Sequence, residues 1–180
     1  MLAYAINSVQ AQTHPVEAII VAQDVHHEGA GPTRNRAGRM SRTTFTAWLD
    51  DDDQFMPHHI EHLLACVEEH GADVVSSYFE VVGGTDPLPP LDRGRQYGHV
   101  DPPIFTIGWM VRTELLHEAT DNMGGFQRDP DSTGAYQIQD KPLVDELYRL
   151  SGGNFFSSPE ATYRWFHHRT NTSGLPTRWK

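Results

Sequence analysis

The chain has 180 residues, enough for one domain with a hydrophobic core and too few for two comfortable ones. Its formal net charge of -10 at pH 7 argues against general binding to DNA or RNA, which depends on clustered lysine and arginine. The same acidity favours a site that holds a divalent cation beside an anionic ligand. No apolar stretch reaches the ~20 residues of a membrane-spanning helix, and no secretory signal is visible. Because the single cysteine, Cys66, also fits a reducing compartment, we predict a cytoplasmic domain.

The first half of the chain predicts helices that alternate with buried strands. Apolar residues at helical spacing predict a first helix that ends before Pro15. The mostly apolar run 16–22 predicts a strand buried in a parallel sheet, with Asp24 just past its carboxyl end. A loop then leads to Pro32, a favoured first residue of a helix, and the short helix that follows carries Arg34.

The next predicted strand, 43–49, is rich in β-branched and aromatic residues and runs directly into four aspartates. Pro57 then opens an amphipathic helix that is expected to end at Gly71, and residues 74–82 predict a further strand. Strands that alternate with helices imply parallel pairing with right-handed crossovers. We therefore predict an α/β fold with a mostly parallel central sheet.

The second half of the chain begins with an irregular segment. Residues 83–103 are rich in proline, glycine and aspartate, and so long a connection in a compact domain is usually a functional loop or a lid. After it, the sequence predicts a strand, two helices and two short strands, which are 104–112, 113–119, 142–150, 155–157 and 162–167. Residues 171–180 are expected to form a loosely held tail.

The sharpest functional signal is the run Asp50, Asp51, Asp52 and Asp53 at the end of a predicted strand. Carboxylates packed so closely repel one another unless a cation neutralises them, and hard oxygen ligands favour Mg²⁺ or Mn²⁺. In open α/β sheets, ligands bind beyond the carboxyl ends of the strands, where this run lies. The alternative is an acidic turn that stabilises the next helix by up to ~1 kcal/mol. Since a cap needs only one aspartate, four of them favour the metal site.

Three motifs occur in order along the first half of the chain: S-V-Q-A-Q-T-H-P at 8–15, G-P-T-R-N-R-A at 31–37, and L-D-D-D-D at 49–53 with Pro57 beyond it. They resemble the patterns S-V-x-x-Q-T-x-P, G-x-x-x-A/T-R-N-x-A and L-D-x-D-D-x-x-x-P of glycosyltransferase family two. The resemblance covers residues 5–85 well and the second half more loosely. It implies a GT-A fold, a Rossmann-like three-layer α/β sandwich.

The resemblance also implies an activity and a division of labour within one domain. The activity is metal-dependent transfer of a sugar, with inversion, from a nucleotide-diphosphate donor, UDP-linked or GDP-linked, to an acceptor hydroxyl. Residues 1–82 would bind the donor and the metal, and residues 104–170 would face the acceptor. Implied donor contacts are Asp24, Arg34, Asp50 and Asp51, and implied ligands of Mn²⁺ or Mg²⁺ are Asp52, Asp53 and His168. Without this context, Asp24 is typical of a turn and Arg34 of a helix surface.

In the second half, Gly124-Gly125-Phe126 followed by Gln139-Asp140 resembles the family's G-G-F turn and its later E-D pair. The aspartate of that pair is the usual general base of inverting enzymes, so the resemblance implies that role for Asp140. The alternative is that Asp140 only caps the helix that follows.

Several histidines and one tryptophan leave two interpretations open. Segment 163–168 resembles a stretch that carries a histidine to the metal, but His168 and its neighbour point to opposite faces of a strand, so at most one serves. His58 and His62 stand at i and i+4 on a predicted helix, where a solvated face is favoured over a metal pair because no third ligand is evident. Trp109 fits either a sugar-stacking surface or the core.

One family feature does not occur in the sequence. Family members usually begin with a central strand and a P-T-x-N-R turn that contributes to the nucleotide pocket. We expect that another segment or a partner subunit fills this place, that the sequence is truncated, or that the pocket is incomplete. Two other functions stay open: a degenerate module that binds a nucleotide or glycan without turnover, and a nucleotidyltransferase, which usually has a glycine-rich basic loop. The acceptor and self-association are not specified by the sequence.

Overall fold

The computed structural model describes residues 1–84, 98, 108–126 and 140–167. The described helices are α1 (Leu2–Gln10), α2 (Ala30–Met40), α3 (His59–His70), α4 (Thr113–Met123) and α5 (Lys141–Leu150). The described strands are β1 (Phe45–Ala47), β2 (Gln54–Phe55), β3 (Val74–Val82), β4 (Trp109–Arg112) and β5 (Phe155–Phe166). Among these helices, none has the length and apolar character that crossing a membrane requires. Most of the predicted loop 83–103 and the whole predicted tail 171–180 lie outside the described residues.

The described strands form one sheet in the order β1-β4-β3-β5-β2. Only β3 and β5 pair in parallel, while β4 is antiparallel to both β1 and β3 and β2 is antiparallel to β5. The expectation of a mostly parallel sheet is therefore wrong, because β4 lies between β1 and β3 and runs antiparallel to both. An antiparallel strand can follow its neighbour without a crossover helix. As a result β1, β3 and β5 run in the same direction, and their carboxyl ends lie at the same end of the sheet.

Helices cover both faces of the sheet. Val74 belongs to a cluster that includes residues of α4 and α5, whereas its neighbour Val75 packs in a cluster with Leu63 and Cys66 of α3. The alternation follows from the two-residue period of a strand. A third cluster joins Ile60 of α3 to β2 and β5. The molecule is thus the predicted α/β sandwich of three layers, and its fold class is confirmed.

Several element boundaries follow local chemistry. Gly71, in the left-handed conformation at φ 63, ends α3 as predicted. Helix α2 begins at Ala30, two residues before the expected Pro32. The two short strands predicted near the end of the chain are one strand, β5, which shifts its register on β3 between Ser157 and Ala161. Pro159 lies in that irregularity, where a proline is tolerated because the ladder is already interrupted.

The predicted strand 16–22 is wrong. These residues form no regular element, and Ile19 and Val21 are 40% and 54% exposed. An apolar run becomes a buried strand only where a neighbour takes up its backbone hydrogen bonds, and no described strand pairs with this segment.

Candidate functional site

We call residues 50–53 the carboxylate turn. The turn follows β1 and the buried Trp48, and it is closed by the Asp53 backbone N–H, which donates to the Asp50 carbonyl at 3.2 Å. One carboxylate oxygen each of Asp50, Asp52 and Asp53 lies within 4.8 Å of the other two. These three side chains therefore converge, as a shared cation site requires. Asp51 is exposed and does not belong to this group.

Asp53 is the buried member of the carboxylate turn. It is 1% exposed, and its Oδ1 accepts a hydrogen bond from the Phe166 N–H at the end of β5 (2.9 Å). Burial raises the pKa of Asp53 to about 8, and the neighbouring charges of Asp52 and Asp50 act in the same direction. A cation bound here would favour the ionised form of Asp53. Three carboxylate oxygens fit the ligand chemistry of Mg²⁺ or Mn²⁺.

Arg34 of α2 joins the carboxylate turn to the second half of the chain. Its Nη2 lies 2.7 Å and 2.9 Å from the two carboxylate oxygens of Asp50, and its Nη1 lies 3.5 Å from Oδ1 of Asp140. Burial opposes the positive charge, but Asp50 and Asp140 outweigh it, so the pKa of the guanidinium is raised. A permanently charged arginine thus holds two of the predicted site carboxylates around one side chain.

Asp140 occupies the position before α5, but its side chain makes no capping hydrogen bond to that helix. Its carboxylate forms an ion pair with Arg34. The capping alternative therefore lacks its defining interaction, while the role of Asp140 as a base stays a prediction. Gln139 lies outside the described residues.

Asp24 makes a local contact. Its two carboxylate oxygens accept the backbone N–H groups of Glu28 (2.9 Å) and Gly29 (2.8 Å), and these bonds lower the pKa of Asp24. Asp24 thereby fastens its loop to the start of α2. The predicted contact with a nucleotide base stays a prediction.

The histidine predictions have different outcomes. His168 lies outside the described residues. The predicted solvated face of α3 is partly covered, because Glu160 of β5 lies 3.1 Å from His58 Nε2 and 3.3 Å from His62 Nδ1. Trp109 is fully buried in the core against Phe155, so the sugar-stacking interpretation is wrong.

Sequence reasoning missed Asn35. Its Nδ2 donates to the carbonyls of Gly124 and Phe126, and its Oδ1 accepts the Phe126 N–H, all at 2.8 Å. Its position next to Arg34 in the second motif was the available signal. The turn that it binds lies about 90 residues later in the chain, a separation at which no local pattern predicts a contact.

Comparisons with known proteins bear on the fold and on the family. Among curated proteins, none matches the sequence significantly. S. aureus TarS 1–349 in complex with UDP-GlcNAc superimposes with a TM-score of 0.72 at 16% identity, over 95% of this chain and 56% of that one. The same TarS fragment with UDP gives 0.66 at 17% identity, over 92% and 56%. Full TarS gives 0.68 at 17% identity, over 92% and 34%.

The TarS structures show that the fold is that of GT-A glycosyltransferases, and the chain spans about half the length of the TarS 1–349 structures. The sequence profile described as Glycosyl transferase family 2 matches residues 18–134, which is more than half of the chain. That match contains Arg34, the carboxylate turn and the 124–126 turn. The chain belongs to glycosyl transferase family 2.

Proposed function

We propose that the chain is the catalytic domain of a metal-dependent glycosyltransferase. It would move a sugar from a nucleotide-diphosphate donor, UDP-linked in the first instance, to an acceptor hydroxyl with inversion. The observation that carries this proposal is the position of Arg34, whose guanidinium contacts Asp50 on one side and Asp140 on the other. Asp50, on the side proposed to bind the sugar donor, and Asp140, the candidate base, are therefore separated by the Arg34 side chain.

On the donor side, Asp50, Asp52 and Asp53 would hold Mn²⁺ or Mg²⁺, with His168 as a further proposed ligand. When bound, the cation would offset the negative charge of the diphosphate. Arg34 keeps Asp50 in place through its ion pair. Asp24 and Asp51 are proposed to contact the nucleotide. The capture of UDP-GlcNAc and UDP by the structurally similar TarS supports a UDP-linked donor.

On the acceptor side, Asp140 would act as the general base. The acceptor oxygen attacks the anomeric carbon, the bond from that carbon to the diphosphate oxygen breaks, and the acceptor proton passes to the Asp140 carboxylate. Arg34 would hold this carboxylate in place through their ion pair. A cytoplasmic location stays a prediction that rests on the sequence.

The test is release of nucleoside diphosphate from UDP-GlcNAc and other UDP- and GDP-sugars by the full chain, with Mn²⁺ or with a chelator. We expect release that requires the cation and that is lost in Asp52→Asn. The matched control, Asp145→Asn, removes a charge on the exposed side of α5 and should keep full turnover. UDP binding without any release would favour a degenerate binding module, and transfer of the nucleotidyl group would favour a nucleotidyltransferase.

A further inference from the structure

Asn35 fastens the turn 124–126 to helix α2. Both hydrogens of its amide and its amide oxygen are used, on the Gly124 carbonyl, the Phe126 carbonyl and the Phe126 N–H. Three bonds from one side chain to a single turn fix the position of that turn, because a shift in any direction lengthens at least one of them.

The packing around this contact is close. Gly125 has φ +76, a conformation that favours glycine, and a Cβ atom there would collide with Oδ1 of Asn35 and approach Oγ1 of Thr120 to 3.2 Å. The backbone of the turn therefore lies directly against the Asn35 amide.

The fixed turn carries Phe126 into contact with the site. The Phe126 side chain is buried, and its ring centroid lies 5.5 Å from the Arg34 guanidinium carbon. The same ring packs edge-on against Trp48, with centroids 5.4 Å apart, two residues before the carboxylate turn. Asn35 is thus linked to Arg34 by two routes, as its neighbour on α2 and through the Phe126 ring.

We propose that Asn35 is a positioning residue for sugar transfer, an inference that rests on the proposed function. It sets Arg34 through the 124–126 turn, and Arg34 sets the separation of Asp50 and Asp140. Binding of the donor does not involve Asp140, whereas transfer needs the donor and this base at the correct separation. Loss of the Asn35 contacts therefore lowers kcat more than it weakens donor binding.

The chain offers a matched control at the opposite edge of the sheet. Asn154 Nδ2 donates to the Gly71 carbonyl (2.7 Å) and to Oδ2 of Asp73 (3.1 Å), so Asn154 also fastens a turn through its amide. Asn154→Ala and Asn35→Ala should both lower the free energy of unfolding. Only Asn35→Ala should change catalysis.

The experiment measures kcat and KM for release of UDP from UDP-GlcNAc, and the UDP dissociation constant with Mn²⁺, well below the melting temperature of each variant. For Asn35→Ala we expect kcat to fall ~10-fold or more with UDP affinity within ~3-fold. For Asn154→Ala both quantities should stay within ~2-fold of wild type. If Asn35→Ala does not fold, Phe126→Leu tests the same chain of contacts and should show the same split.

Two results overturn this inference in different ways. An active wild type with equal kcat in Asn35→Ala and Asn154→Ala removes the inference alone. A folded wild type that binds UDP but releases none from any donor removes the proposed function and the inference with it. The route through Phe126 is tested by the free energy of unfolding of double variants. The losses caused by Asn35→Ala and Phe126→Leu should sum to more than the loss in the double variant, whereas the losses caused by Asn154→Ala and Phe126→Leu should add. Additive effects for the first pair would exclude that route.

Discussion

Two groups of polar side chains, one at the carboxylate turn and one around His59, differ in the charge that they carry. The carboxylate turn, with Arg34, gathers several charges where β1 ends, and Asp53 is the buried one among the carboxylates. The second group buries none: His59 Nδ1 lies 2.6 Å from the Thr162 hydroxyl, which donates to the Ser77 hydroxyl at 2.6 Å. Because the Thr162 proton is used on Ser77, His59 must donate from Nδ1, and its buried Nε2 has no hydrogen-bond partner among the described residues.

Burial favours the neutral form in both groups, but with different consequences. It raises the pKa of Asp53 to about 8 and lowers the pKa of His59 to about 3. His59 is therefore neutral throughout the physiological range, with Nδ1 hydrogen-bonded to Thr162. Within the described part of the chain, Asp53 stands beside the carboxylates of Asp50 and Asp52, and Arg34 supplies the positive charge near them. A neutral network whose members bind one another is suited to a structural role, whereas an excess of one charge around a buried carboxylate is suited to a ligand of the opposite charge.

The largest expected effect concerns the charged group. Asp140→Asn keeps the size of the side chain but cannot accept the acceptor proton, so kcat should fall by ~10²–10⁴ while UDP affinity with Mn²⁺ changes little. Steady-state release of UDP and calorimetric titration with UDP measure the two quantities. The control is Asp145→Asn. Unchanged turnover in Asp140→Asn would exclude Asp140 as the base.

The second effect concerns the neutral group and depends on pH. The unfolded chain binds a proton at His59 below its ordinary pKa of 6.5, whereas the folded chain does not until about 3. Stability should therefore be lost as pH falls through this window, by up to about 1.4 kcal/mol per pH unit from this residue. His59→Phe keeps a ring stacked on Phe55 and does not titrate, so its unfolding free energy should fall less steeply. Parallel pH profiles of the two proteins would contradict a neutral buried imidazole.

A smaller effect separates the turn beside the site from a turn remote from it. Gly71 and Gly125 both have positive φ, but a Cβ on Gly71 would meet nothing within 4 Å. Gly71→Ala should cost only the conformational strain of about 1 kcal/mol. Gly125→Ala should cost more and lower kcat as well, because the added methyl group displaces the Asn35 amide. Equal losses of stability in urea unfolding, with full activity in both, would contradict the role of that packing.

The smallest effect is expected at an exposed pair. Lys141 Nζ lies 2.7 Å from Oδ1 of Asp145 on α5, and both side chains are more than half exposed. Asp145→Asn should cost ~0.5 kcal/mol or less and should cost even less at high salt. Urea unfolding at two salt concentrations measures this. A loss well above 1 kcal/mol would show that charge alone, without burial, matters in this protein.

The parts of the site that could be predicted are local in sequence. The carboxylate turn is four consecutive residues after a strand, so its convergence follows from chain connectivity. The contact of Arg34 with Asp140 spans 106 residues and was not predicted, although the resemblance singled out each residue through a separate motif. Asn35 was missed for the same reason, since its partners lie on a distant turn.

The parts of the fold that could not be predicted depend on neighbours. Helices α3 and α5 carry their own amphipathic pattern and their own end signals, and both were found. The run 16–22 has the composition of a buried strand, but composition does not say whether a partner strand lies beside it. The direction of β4 was unpredictable because alternation of helices and strands does not fix the place of each strand in the sheet.

The central claim is that the carboxylate turn binds a nucleotide diphosphate through a cation, and thermal unfolding with UDP tests it most directly. At 100 times its dissociation constant UDP should stabilise the wild-type chain by ~2.7 kcal/mol in the presence of Mn²⁺. The shift should vanish with a chelator and in Asp52→Asn, and it should persist in Asp145→Asn. Equal stabilisation by UDP with and without the cation, or full stabilisation of Asp52→Asn, would contradict the account.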